Sequence, residues 1–243
     1  MNKTRIANFY KELCDKVDTL EFLPPVVRVY NPLRYAWEGF EKYLGYANGD
    51  KRVVFLGMNP GPWGMTQTGV PFGEVNAVKN FLGIQEIHVT PPENQHEEYP
   101  VKGLDCKRSE VSGKRLWGLF QKRYGTAENF FAENFVLNYC PLFFLREDAD
   151  GNTKNFTPDK LKKAERKNLY SMCDSCLKKV IATLRPKVVV GIGNFAEDRA
   201  LDALIDFELD VVKILHPSPA SPNSNKNWEE IATQQLIDAG VWK

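Results

Sequence analysis

Asn59, Asn138 and His216 stand where a site needs polar groups, each at the end of or just beyond an apolar run. Asn59 follows Arg52-Val53-Val54-Phe55-Leu56 and lies in the stretch GMNPGPWGMTQTGVPFGE, residues 57–74. The five glycines and three prolines of those eighteen positions allow tight turns, so backbone groups can approach a ligand closely. Asn138 closes Phe135-Val136-Leu137. Its carboxamide offers one acceptor beside two donors, which matches an edge such as N3–H and O4 of uracil, and cytosine presents the reverse polarity. The same asparagine could instead tie the strand end to its turn. His216 is the first residue after Val211–Leu215, and Pro217 and Pro219 stiffen the loop behind it. That arrangement suits a catalytic imidazole, although a loop histidine can also be purely structural.

Strands and helices alternate around these residues. Helical spacing covers 4–17; Asn31-Pro32 reads as a cap with proline in the first turn of a helix reaching about Leu44; further helices are expected at 76–82, 112–124, from Thr157-Pro158 to about Arg185, at 194–205 and at 228–239. Strands are expected at 52–56, 135–138, 187–193 and 211–215, with a long surface loop up to about Ser109. Alternation of this kind implies right-handed crossovers and an α/β fold, a three-layer α/β/α sandwich around a central four-stranded, mainly parallel sheet. Ligands of such sheets bind beyond the carboxyl ends of the strands, so the loops at Gly57, Tyr139 and His216 should share one crevice.

With no internal repeat or linker, residues 1–243 read as one domain, with a helical N-terminal segment over about 1–50 and the α/β core over about 51–243. The net charge of +1 argues against indiscriminate coating of nucleic acid and leaves room for a local basic surface. No apolar run approaches the roughly 18 to 20 residues of a membrane span. The N-terminus lacks a signal-peptide core, so an intracellular location is expected, cytoplasm and nucleoid or nucleus according to the cell. The five cysteines are irregularly spaced and suit reduced thiols. Cys173-x-x-Cys176 falls on an apolar helix stripe without a second pair, and Gly191-Ile192-Gly193-Asn194 lacks the third glycine of a dinucleotide fingerprint. His88 and His96 read as surface residues of the acidic loop.

The segments GMNPGPWGMTQTGVPFGEV at 57–75 and HPSPASPNSNKNW at 216–228, with FVLNYCPL at 135–142 between them, resemble the signature motifs of the single-strand-selective monofunctional uracil-DNA glycosylases. The resemblance spans roughly residues 30–240. It implies the four-stranded parallel fold of the uracil-DNA glycosylase superfamily and excision of uracil, and of 5-substituted or other deaminated bases, from single- and double-stranded DNA by base flipping. It also implies a monomer that cuts no strand and uses neither cofactor nor metal. By position, Asn59 matches the asparagine that holds the attacking water, and His216 the histidine that stabilises the departing base at O2. Phe72 would stack on the base, Asn138 would read its N3/O4 edge, Met58 and Met65 would line the pocket, and Gly61 would leave open space at C5. The loop from Pro217 to Lys226, including Ser218, Pro219, Ala220, Ser221 and Asn225, would fill the gap left by the flipped nucleotide. Ala220 departs from the larger or basic residue expected there, and Trp63 replaces a smaller aromatic. Lys107-Arg108, Lys114-Arg115, Lys226 and the serines Ser218, Ser221 and Ser224 are candidates for phosphate contacts. Two other classes stay open on the residues alone: a single-strand binding module stacking bases on Phe72 and Trp63, and a nucleoside-handling metabolic enzyme.

Overall fold

The computed structural model describes residues 2–219 and 227–243. Helix α1 (Asn2–Val17) turns Ile6, Tyr10, Leu13, Cys14 and Val17 inward. Strand β1 (Val26–Tyr30) follows, then α2 (Pro32–Tyr35), with Asn31 capping Leu33 N–H at 3.2 Å, and α3 (Trp37–Tyr43). The single helix expected over 31–44 is broken at Ala36. The glycine-rich stretch docks at this break: Tyr35 Oη donates to the Thr66 carbonyl at 2.7 Å, and a side chain on Gly69 would lie 2.3 Å from the Ala36 carbonyl oxygen. Tertiary contact has overridden local helical preference there.

Strand β2 (Val53–Gly57) leads into the glycine-rich stretch, where α4 (Met65–Thr68) makes one turn before α5 (Val75–Asn80). After the long loop come α6 (Val111–Tyr124) and α7 (Ala127–Glu133), capped by the Thr126 hydroxyl, which accepts from Asn129 N–H at 3.3 Å. Strand β3 (Asn134–Asn138) is followed by β4 (Phe143–Glu147) and β5 (Thr153–Phe156). Helix α8 (Lys163–Leu184) begins beyond Pro158, where the sequence places its first turn; Pro158–Lys160 forms a separate 3-10 turn, and Glu165 accepts from Lys162 N–H at 3.1 Å to start the helix. Strand β6 (Val188–Ile192), α9 (Asn194–Ala203), β7 (Asp210–Ile214) and α10 (Trp228–Asp238) complete the order.

The central sheet has the order β3-β2-β6-β7 and every pair in it is parallel. All five residues of β2 and all five of β3 are buried, which requires cover on both faces, and α9 packs against β2, β6 and β7. On the α6–α7 side Phe55, Trp117, Phe120, Phe130, Phe131 and Phe135 interlock with Tyr43 in mostly edge-on and tilted ring contacts. One apolar core draws on residues from Ile6 to Trp242. A second sheet, β1-β4-β5, is antiparallel and lies outside the four strands expected from the sequence. Its residues Tyr30, Phe143 and Leu145 join Val101 in a small satellite core. Cys173 and Cys176 lie in the main core, and all five cysteines are free and buried.

Candidate active site

Parallel pairing sets Gly57 directly opposite Asn138, so the first and middle motifs start side by side at the carboxyl end of the sheet. The pairing continues into the loops, because Tyr139 N–H donates to Gly57 C=O at 2.9 Å and Cys140 N–H to Met58 C=O at 2.8 Å. Further along, Gln67 Nε2 donates to the carbonyls of Pro62 (2.9 Å) and Pro100 (3.0 Å). Residues 64–75 are all buried. Glycine and proline here specify a fixed shape.

That shape forms a slot. A methyl on Gly57 would lie 2.4 Å from the Phe72 ring and 2.5 Å from Asn138 Oδ1, so the missing side chain is what lets ring and amide approach the strand end. Phe72 has φ of 53°, an unusual region for a bulky residue. Its carbonyl is held from two sides, by the buried Trp117 indole N–H at 3.1 Å and by Glu74 N–H at 2.7 Å. Asn138 is 6% exposed; among the described residues its Nδ2 donates to the soft acceptor Met65 Sδ at 3.2 Å, and its buried Oδ1 has no partner. A buried polar atom without a partner is costly, and Asn138 Oδ1 is one of four such side-chain atoms among the described residues, with Arg28 Nε, Thr66 Oγ1 and Asn134 Oδ1. Met58 is partly buried at the same strand end.

His216 reaches this slot from beyond β7, its ring 6.3 Å from that of Phe72. Gly193, at φ 87°, lets the chain pass close, since a side chain there would sit 3.1 Å from His216 Cβ. Ser218 N–H donates to His216 Nδ1 at 3.0 Å, which makes Nδ1 an acceptor and leaves the proton of the neutral ring on Nε2. Burial pushes the imidazole down from 6.5 to about 4, so it is neutral at physiological pH. Asn59 is partly buried, and its Nδ2 donates to the carbonyls of Leu142 at 3.1 Å and Pro60 at 3.3 Å. With its donors so used, Oδ1 is left as an acceptor.

Helical spacing at 112–124 gives α6 no evident role in the site, yet this helix holds both motif loops. Gly113 allows it against Phe72, where a side chain would lie 2.1 Å from the carbonyl oxygen; Trp117 binds that same oxygen; Arg115 Nη1 donates to Pro217 C=O at 2.8 Å. Just ahead of the helix, Glu110 Oε2 accepts from Trp63 N–H at 3.2 Å. The signal in the chain is the spacing 110, 113, 117 on one helix face, with each residue individually unremarkable. The expected open space at Gly61 is bounded by this carboxyl, because a side chain on Gly61 would lie 2.4 Å from Glu110 Oε2.

Of the candidate DNA contacts, Pro217 is buried, Ser218 is partly buried and Pro219 is exposed. Ala220, Ser221, Ser224, Asn225 and Lys226 lie outside the described residues. Two candidate phosphate ligands are already engaged: Arg115 on Pro217, and Arg108 over the Trp63 ring at 4.3 Å. Lys107 and Lys114 are exposed. His96 Nε2 pairs with the Thr153 hydroxyl of β5 at 3.0 Å. Among the described residues no three His, Cys, Asp or Glu side chains converge as a metal site, and no helix is long and apolar enough to cross a membrane.

The sequence model of the uracil DNA glycosylase superfamily matches residues 44–237, which includes all three motifs. The chain belongs to that superfamily. Within it, this chain is 46% identical over 229 residues to the single-strand selective monofunctional uracil-DNA glycosylase of Rattus norvegicus, covering 93% of this chain and 81% of the relative. The Bos taurus protein of the same name is 45% identical over 232 residues, covering 94% and 84%. In three dimensions the crystal structure of wild-type Pedobacter heparinus SMUG2 superposes with a TM-score of 0.70 at 18% identity, over 97% of each chain, and shows the superfamily's fold.

Proposed function

We propose that this chain is a monofunctional DNA glycosylase that hydrolyses the N-glycosidic bond of deoxyuridine flipped out of DNA. The observation that carries the reading is the partnerless, buried Oδ1 of Asn138, set beside the Phe72 ring and the neutral His216 imidazole. Uracil N3–H would donate to that oxygen, and uracil O4 would take Nδ2 from Met65 Sδ. Cytosine would leave both groups unpaired, which is how a site built for hydrogen bonding rejects an analogue.

As the C1′–N1 bond breaks, its electron pair leaves with the base and positive charge grows on the sugar. His216 Nε2–H, aimed at O2, and Asn138 Nδ2, aimed at O4, stabilise the developing anion. A neutral donor serves best here because it carries no charge-burial penalty in the empty enzyme. Asn59 is too weak a base to deprotonate water outright; its Oδ1 orients a water that attacks C1′ after bond breaking is advanced and then loses its proton to solvent. No covalent intermediate and no strand cleavage are required. The family relatives named as single-strand selective uracil-DNA glycosylases support the substrate.

The chain acts as a single-domain monomer inside the cell, on single- and double-stranded DNA, with its wedge on the loop after Pro217. The test is release of free uracil from uracil-containing oligonucleotides, single- and double-stranded, with Asn59→Ala and His216→Ala as controls. Each variant should retain its fold and lose about 10²- to 10³-fold in rate, the effect of losing one such group. Near wild-type release by both variants would refute the site; oligonucleotide binding with every base left attached would refute catalysis.

A further inference from the structure

A cleft of about 530 Å³ beside the glycine-rich loop takes no part in the chemistry above. Trp63 and Tyr99 line it together with Lys102, Lys107 and Arg108, and so do Glu97 and Glu98. Its shape is built in. Gln67 is fully buried and divides its amide between the two flanks: Nε2 donates to the Pro62 and Pro100 carbonyls, and Oε1 accepts from Lys102 N–H at 2.7 Å. The Tyr99 ring is tied down as well, since its Oη donates to Thr153 C=O at 3.3 Å. Both rings are only partly buried; they lie 8° from parallel with centres 5.7 Å apart. Ring faces in full contact would stand about 3.5 to 4 Å apart, so the pair is offset and each ring leaves part of its face uncovered by the other. Arg108 is exposed and engages only the Trp63 ring, at 4.3 Å, among the described residues. No ion pair joins the acids to the bases of the cleft among those residues, so its cations stay open to an occupant. Flat apolar faces beside unpaired cations are what a nucleotide needs, stacking for the base and positive charge for the phosphate.

We propose that this cleft is a second nucleotide subsite: it holds a nucleotide of the same DNA strand near the flipped one, with its base against Trp63 and Tyr99 and its phosphate on Lys107 and Arg108. This rests on the function proposed above, which brings DNA to the mouth of the slot. Asn59 and Trp63 lie on one loop, and four residues of chain span at most about 14 Å. Stacked nucleotides advance about 3.4 Å each, so the held nucleotide lies within a few positions of the flipped one. Glu97 and Glu98 repel phosphate and turn the backbone toward the lysine and arginine. A single strand has no complementary strand to fix its register, and a second held base supplies that register without touching the reacting bond.

The experiment uses single-stranded oligonucleotides carrying one uracil and a baseless sugar spacer, placed in turn at each neighbouring position on either side. Affinity and the saturating single-turnover rate of uracil release are measured for wild type, Trp63→Ala and the double variant Lys107→Ala, Arg108→Ala. In wild type the spacer at one position should weaken binding about 5- to 100-fold, as for loss of one base stacked on an aromatic side chain. In Trp63→Ala that position should become indifferent while spacers elsewhere act as before, and the saturating rate should stay the same, because only uniform binding has been lost. Trp63→Leu keeps apolar bulk and serves if the alanine variant unfolds; it should erase the same positional effect. In the double variant the slope of log affinity against log salt should fall by about 0.7 for each phosphate contact removed. A spacer profile identical in wild type and the Trp63 variants would overturn the proposal, as would an unchanged salt slope or a lowered saturating rate with the profile intact. Absence of any uracil release by wild type would instead overturn the function on which it rests.

Discussion

His216 should titrate near pH 4, and this has a sign and a size that can be measured. Burial lowers its folded-state value from 6.5 to about 4. Protonation is therefore disfavoured in the native state: the stabilising effect of the neutral ring is complete above the unfolded value of 6.5 and is lost as pH falls toward 4. At about 1.4 kcal/mol per unit, the whole shift corresponds to about 3 kcal/mol. By pH 5.5 about 1.4 kcal/mol of it should already be gone, roughly tenfold in the folding equilibrium. Chemical denaturation of wild type and His216→Gln from pH 8 to 4 isolates the contribution, because the variant lacks this component of the slope while sharing the other titrating groups. Single-turnover uracil release should in parallel show no inflection near pH 6.5, since the active, neutral imidazole persists far below it. Direct titration of the ring by NMR near pH 6 to 7, or identical pH slopes in the two proteins, would refute both the burial argument and the neutral-donor assignment.

Three other substitutions test the supports of the slot. Gly57→Ala places a methyl 2.4 Å from the Phe72 ring and 2.5 Å from Asn138 Oδ1, so it should cost about 1 to 3 kcal/mol in thermal unfolding and abolish most uracil release; full activity would mean that this close packing does not shape the base pocket. Arg115→Met keeps the aliphatic stem and removes the donor to Pro217 C=O, and should lower the single-turnover rate about tenfold while stability changes by about 1 kcal/mol. Trp117→Phe removes the indole N–H that holds the Phe72 carbonyl; urea denaturation should show a loss of about 1 to 3 kcal/mol, because a buried carbonyl is left less satisfied.

Patterns local in the chain were enough for the framework. Residues 52–56, 135–138, 187–193 and 211–215 read as strands because apolar, β-branched runs of that length have few other uses, and the helices between them imply parallel order. Asn59, Asn138 and His216 were legible as a group for the same reason: a parallel sheet brings its carboxyl-end loops together, as the register of Gly57 with Asn138 and the approach of His216 to Phe72 show. The antiparallel sheet β1-β4-β5 was not legible, since Val26–Tyr30 and Thr153–Phe156 are short and owe their state to cross-strand partners 100 or more residues apart for β1 and β4. The break at Ala36 likewise arises from a loop far along the chain.

Sequence by itself determined which side chains could do chemistry and at which end of the sheet they would gather, because residue type and hydrophobic period are local properties. Only the tertiary structure decided their states. The neutrality of His216 comes from burial and from the Ser218 N–H on Nδ1; Asn138 Oδ1 is buried without a partner among the described residues; the strained Phe72 is held by an indole on α6. Each depends on groups from separate segments meeting in a low-dielectric interior, where desolvation and a single hydrogen bond outweigh what any residue prefers alone.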